Sequence, residues 1–361
     1  MVGALALNAS TTGQENVAIG HQALSADTKG QRNVAVGANA LDAQNFTTAT
    51  NSQNVAVGYA AGGAVTTGIE NTLIGGLAGD ALTTGNYNIT LGGSALGADT
   101  AGVASIAIGY QALQVQNFTT ATNAFNVAVG HAAGRAVTTG KENILIGGVA
   151  GDALTDADYN IAIGHTALGL DTLGSRTVAI GHSALDAQNF TTATNTYNVA
   201  VGHAAGSGVT TGVQNTLIGG LAGDVLSDAD FNVAIGYAAL STDTLGSSSV
   251  AIGREALFTQ NFTTATSSYN VAVGFQAGEA VTTGIENVLL GALAGDAITS
   301  GADNTAVGYQ ALSTNITGTN NVAMGVSALK LNTGSDNTAI GRGALLNQAA
   351  GSDNTAVGKD A

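Results

Sequence analysis

The sequence predicts an all-β protein: a parallel β-solenoid of the β-roll kind, with 17-residue coils grouped into a 72-residue unit of four coils. Three observations predict it. A short block, Asn-Val-Ala-Val-Gly or a close variant, recurs with 21 anchor glycines, from Gly3, Gly20, Gly37 and Gly58 through to Gly341 and Gly358. Successive anchors lie 17 residues apart, except for four steps of 21 and one of 16. Within each block the residue before the anchor is Val, Ile, Leu or Met, and the residue three before it is Val, Ile or Thr, with mostly Ala between them. This period of two reads as a strand. The stretches between blocks are rich in turn formers and too short for a helix, which needs about ten residues.

One coil per repeat follows, each strand stacking parallel on its copy in the next coil at about 4.8 Å. About 20 such coils give a rod on the order of 95 Å long. Length alone would allow two or three ordinary domains, but so regular a period argues for residues 1–361 as a single repeat array. Composition agrees: there is no Cys, Pro or Trp, only 16 Phe and Tyr together, and 52 Gly. Small and aliphatic residues must therefore do the packing, and no disulfide contributes. Gly3, Ala6 and Leu7 already occupy repeat positions, Gly358 and Ala361 do so at the other end, and neither end diverges into a cap. The expectation is a segment excised from a longer chain.

Each position of the coil carries its own signal. Four residues before the anchors stands Asn, as at Asn16, Asn33, Asn54, Asn71 and Asn88, replaced only by Ser105, Thr177 and Ser249. Such amides either hydrogen-bond along the stack or cap a local turn. Three residues after every anchor stands Ala, as at Ala23, Ala40, Ala61 and Ala78, a position where a larger side chain would clash. The next residue alternates in pairs: Leu24 and Leu41, then Gly62 and Gly79, then Leu96 and Leu113, then Gly134 and Gly151. Leucine lines one level of the core and glycine opens the next, offering space to a neighbouring chain.

The steps of 21 coincide with QNFTTATN and its near copies, beginning at Gln44, Gln116, Gln188 and Gln260, 72 residues apart. They are four-residue insertions near 45–48, 117–120, 189–192 and 261–264. A solenoid accommodates extra residues as loops leaving the stack, so Phe46, Phe118, Phe190 and Phe262 are expected about 19 Å apart. Two readings stand for them: an exposed aromatic row docking a receptor glycan, protein receptor or partner fibre, or rings that fold back over a coil edge or fill a gap between chains. Asn-Phe-Thr is also a glycosylation sequon.

The block Asn-Val-Ala-Val-Gly-x-x-Ala-Leu, with its variant Asp-Asn-Thr-Ala-Ile-Gly at Asp336 to Gly341, resembles the head repeat of YadA-type trimeric autotransporter adhesins and repeat regions of phage tail fibres. The resemblance covers essentially the whole chain. It implies a parallel β-roll in which three copies wind into a stiff, surface-projecting attachment device. The adhesin-head repeat is shorter than 17 residues and lacks the regular insertion. A homotrimeric, extracellular fibre is the expectation, with self-assembling filament or ice-binding solenoid as the alternative.

Other candidates carry less. His21, His131, His165, His182 and His203 all follow an anchor, and the last three stand in consecutive coils. The same position also holds Tyr59, Gly76, Arg254, Phe275 and Lys359, the tolerance of a solvent-facing slot rather than of a metal site. Asp152, Asp156 and Asp158 cluster as calcium ligands would, but the matching segments read TTGNYN and TSGADN, so Asp in tight turns explains them. Thr-Thr recurs at Thr66, Thr138, Thr210 and Thr282, with Asp and Ala in adjacent coils, so no continuous Thr face is expected. Repeated residues offer no singular catalytic constellation, and neither enzyme activity nor a cofactor is expected. The formal charge of −15 argues against nucleic acid as a partner, and no apolar run is long enough for membrane insertion.

Overall fold

The computed structural model describes residues 2–361, and these contain strands but no helix. The chain divides into two compact units, one running to Thr177 together with Asn189–Thr194, the other comprising Val178–Gln188 and Asn195–Ala361. Each is a parallel β-solenoid. In the first, Val17–Ile19 pairs in register with Val34–Val36, and the ladder continues through Val55–Val57, Thr72–Ile74, Ile89–Leu91, Ile106–Ile108, Val127–Val129 and Ile144–Ile146 to Ile161–Ile163. In the second, the same ladder runs from Val178–Ile180 to Thr355–Val357.

These three-residue strands point their smallest side chain inward. Ala18, Ala35, Ala56 and Ala107 are fully buried at the strand centres, whereas the β-branched residues on either side are half-buried or exposed. A coil this tight must turn within a few residues, and it does so with isolated left-handed residues. In one coil these are Arg32 (φ 62°), Asn39 (φ 59°) and Leu41 (φ 51°). A non-glycine residue there costs about 1–2 kcal/mol, which the hydrogen bonds of each coil to both neighbours offset. The anchor itself must be glycine for two reasons, as Gly75 illustrates. Its φ is +135°, and a Cβ would stand 2.6 Å from the carbonyl oxygen of Gly92 in the next coil.

The paired glycines do not open the core to a neighbouring chain, contrary to the sequence expectation. A Cβ at Gly62 would stand 2.5 Å from Leu73 Cδ1, and one at Gly79 would stand 2.9 Å from both Leu73 Cδ2 and Leu82 Cδ1. The volume is filled from within the same chain. Leu73 replaces the usual strand-centre Ala, and Leu145, Leu217 and Leu289 repeat the substitution between their own glycine pairs. Three residues beyond, the glycine coils carry Val65 and Leu82, while the leucine coils carry Asp27 and Gln44 at the same place. Apolar volume and polar groups thus exchange positions every second coil.

Candidate functional site

The insertions are the most elaborate feature, and they are built inward. Phe46, Phe118, Phe190 and Phe262 are only 6–7 % exposed. This corrects the expectation of loops that leave the stack and of an exposed phenylalanine row for a receptor: the rings are buried. The physical reason is a clamp on the phenylalanine backbone. The carboxylate of Asp99, itself fully buried, accepts hydrogen bonds from the N–H groups of Gly102 and Phe118, both at 3.0 Å, and from Gln116 Nε2 at 2.7 Å. Thr100 donates its hydroxyl to the Phe118 carbonyl at 2.8 Å. Asp27 with Phe46, Asp171 with Phe190 and Asp243 with Phe262 repeat the arrangement. The Phe262 ring lies against Gly246, where a Cβ would come within 2.8 Å of it.

Downstream of the phenylalanine, short parallel ladders fasten the insertion to the preceding coil: Thr50–Asn51 pairs Gly30–Gln31, and Thr122–Asn123 pairs Gly102–Val103. The tip is in water, with Thr47, Thr48 and Ala49 exposed, as are Asn45 and Asn51 at its base. Burial pushes the Asp99 carboxyl above the usual carboxylate range, with the hydrogen bonds from Gln116, Phe118 and Gly102 opposing that shift. What this arrangement does chemically is hold one coil on the next.

The asparagines form a hydrogen-bonded ladder in the interior, broken at Ser105, Thr177 and Ser249. Asn71 Nδ2 donates to Asn54 Oδ1 at 3.3 Å and to the Gly85 carbonyl at 2.8 Å. Its own Oδ1 accepts the Asn88 N–H at 3.0 Å and Asn88 Nδ2 at 3.2 Å. Asn33, Asn54, Asn71 and Asn88 are fully buried, and Asn16 is half-buried. Where Ser105 and Ser249 interrupt the ladder, Gln116 and Gln260 reach in from the insertion, donating to the serine hydroxyls at 2.9 and 2.8 Å and accepting from Asn126 and Asn270. Ala23, Ala40, Ala61 and Ala78 are fully buried.

The remaining candidates sit on the surface. His182 and His203 stack with ring centroids 5.5 Å apart, as do Tyr110 and His131 at 5.8 Å; His165 belongs to the first unit. Among the described residues no group of three or more His, Cys, Asp or Glu is placed to hold a metal ion. Asp158 accepts the Lys141 N–H of the preceding coil at 2.7 Å, and Asp156 accepts the Thr139 hydroxyl at the same distance, so both carboxylates fasten turns. The threonine column is more continuous than the sequence suggested, since Thr66, Thr83 and Thr100 succeed one another in register. The hydroxyls of Thr66 and Thr83 donate to the carbonyls of Thr83 and Thr100, which commits their hydrogens within the chain.

Two surface features were missed by the sequence reasoning. The first is the strand face: Val17, Ile19, Ile89, Leu91, Ile144 and Ile218 are among the residues that leave large aliphatic side chains in water, in two columns either side of the buried strand centre. The second is a column five residues before the anchors, in which Tyr87, Phe125, Tyr159, Tyr197, Phe231 and Tyr269 stand out. Both were visible as letters; the first needed only the inference that strand alternation turns the residues on either side of the buried centre outward. Comparison with protein-family models and with curated proteins finds no match to this chain.

Proposed function

We propose that this chain is the structural shaft or head of an extracellular attachment fibre, of the phage tail fibre or bacterial adhesin kind, working as a homotrimer. The observation that carries the reading is the strand face. In the first unit Ile89, Leu91 and Ile144, and in the second Ile218, Met324 and Ile340, stand exposed in two columns of mostly aliphatic strand residues that threonines such as Thr72 and Thr216 interrupt. Contiguous apolar surface of this extent marks an association site, and a flat, repetitive face is self-complementary with further copies. Three copies closing on it satisfy the face in a ring. The rest of each coil surface then presents identical side chains at fixed intervals, so weak contacts to a receptor accumulate by avidity.

Light scattering of the intact chain at several concentrations tests the proposal. The expected result is a concentration-independent mass of three times 35.2 kDa, reduced to one chain by Ile89→Lys with Ile144→Lys on the strand face. A single-chain mass for the unmodified protein overturns the trimer, and a mass that climbs with concentration favours an open filament on the same face.

A further inference from the structure

We infer that the aromatic columns five residues before the anchors are linear binding sites for an extended, flat β-1,4-linked polysaccharide. In the first unit a five-coil stretch of the column reads Tyr87, Ala104, Phe125, Glu142 and Tyr159, and in the second a like stretch reads Tyr197, Gln214, Phe231, Ser248 and Tyr269; the coils beyond them carry charged or amide residues such as Glu70, Arg176 and Glu286. Strand register aligns these positions, because each lies two residues before a strand that pairs directly with the next. Aromatic rings therefore recur in alternate coils, about 9.6 Å apart, and all six are 45–57 % exposed.

This alternation is what a two-fold polysaccharide ribbon requires. Successive sugars of such a chain are turned over, so every second ring offers the same C–H face, and the disaccharide repeat has nearly the length of two coils. Exposed Tyr and Phe supply rigid apolar platforms for those faces. The residues between platforms, Ala104, Gln214 and Ser248 among them, do not rise as bulky aromatics against the intervening sugars. Hydroxyl partners stand alongside. Asn86 precedes Tyr87, Asp156 and Asp158 precede Tyr159, and Asp228 and Asp230 precede Phe231. Asp156 and Asp228 are exposed and use one oxygen each on Thr139 and Thr211 at 2.7 Å, leaving the second oxygen for a sugar hydroxyl. Arg176 lies over one face of the Tyr159 ring at 5.0 Å, so a sugar stacks on the opposite face or displaces the guanidinium.

The inference deepens the attachment reading by naming a ligand class, and it is tested separately from the trimer. The intact chain is titrated with cellohexaose and with chitohexaose, using maltohexaose as the α-linked control, and is sedimented with regenerated cellulose and with chitin. Binding of a β-1,4-linked hexasaccharide but not of maltohexaose is expected, with the two β-linked arms distinguishing the glycans. Each ring removed, as in Tyr87→Ala, Phe125→Ala or Tyr159→Ala, is expected to weaken binding about two- to tenfold, whereas Tyr87→Phe retains it. Absence of binding by the unmodified chain to either β-linked glycan overturns the inference, as does undiminished binding when all six rings are Ala. Scattering mass is read on the same samples. A single-chain protein that binds cellohexaose upholds the glycan site while sinking the trimer; ring variants that change the mass of a protein blind to glycan assign the rings to the interchain contact and overturn the inference.

Discussion

Leu145 offers the sharpest test of how the core is filled. It is fully buried, and a Cβ at Gly134 would stand 2.5 Å from its Cδ1 while one at Gly151 would stand 2.8 Å from its Cδ2. Leu145→Ala empties a space walled by backbone that inter-coil hydrogen bonds hold in place, so the site collapses little and the cost falls near the upper end of the usual range, about 3–5 kcal/mol. Gly134→Ala alone places a methyl group on a residue at φ +57° and against Leu145; left-handed strain of about 1–2 kcal/mol adds to an overpacking cost of about 1–3 kcal/mol. In the double variant the methyl enters the space Leu145 vacated. The overpacking cost disappears and part of the cavity is refilled, so the two changes couple favourably by about 1–3 kcal/mol. Hydrogen exchange resolved by mass spectrometry over residues 127–151 of the intact chain is the suitable assay, because a repeat array opens locally rather than in one step. Additive losses in the double variant would refute the idea that Leu145 and Gly134 share one volume.

Three further outcomes are expected. Asn71→Ala removes the acceptor of the buried Asn88 N–H and a donor to the Gly85 carbonyl; with each orphaned group costing about 1–3 kcal/mol, exchange protection of the neighbouring coils should fall by roughly 2–6 kcal/mol. Asp99→Ala releases the Phe118 N–H and Gln116 together, so limited proteolysis should cut at Thr119–Ala121 at least tenfold faster, on the order of 1.4 kcal/mol of local opening, with the equivalent tip at residues 47–49 unchanged. Burial first, and then the nearby Glu279 charge, raise the Asp296 carboxyl to about 6. A carboxyl raised in the folded state binds its proton more tightly there, so its contribution is complete below about pH 4 and is lost as the pH rises towards 6; local protection of this coil should decline across that window and flatten in Asp296→Asn.

The fold was legible because a solenoid writes its geometry as a period. Anchors at Gly20, Gly37, Gly58 and Gly75 gave coil length, strand position and register before any side chain was placed. The asparagine column was legible for the same reason, though only coordinates distinguish an amide ladder from a local cap: Asn54, Asn71 and Asn88 make bonds to the neighbouring coils at both ends of the amide. Phe118 could not be placed so directly. Its fate depends on Asp99, 19 residues earlier, accepting its N–H, and no local pattern around Gln116–Asn123 encodes that clamp. The signal that was present and unread is Leu73, Leu145, Leu217 and Leu289, each breaking the strand-centre preference for small residues within a pair of glycine coils. Read together, those letters say that the glycine space is already occupied.

The four-coil period then has a physical cause. A leucine coil carries Asp or Gln three residues beyond its Leu, and a glycine coil carries Val, Leu or Ile there. Polar side chains in that slot must be satisfied by backbone groups, and the insertion supplies one in the Phe N–H that Asp27, Asp99, Asp171 and Asp243 all accept. After the last insertion the same slot holds Asn315 and Asn332 instead. Asn315 accepts the Gly318 N–H at 2.7 Å and donates to the Gly334 carbonyl at 3.0 Å, so one amide does what a carboxylate and its glutamine did together. The coils of Leu312 and Leu329 thus keep the leucine without the insertion, whereas each buried Asp comes with one. The insertion is therefore best understood as the hydrogen-bonding partner of a buried carboxylate.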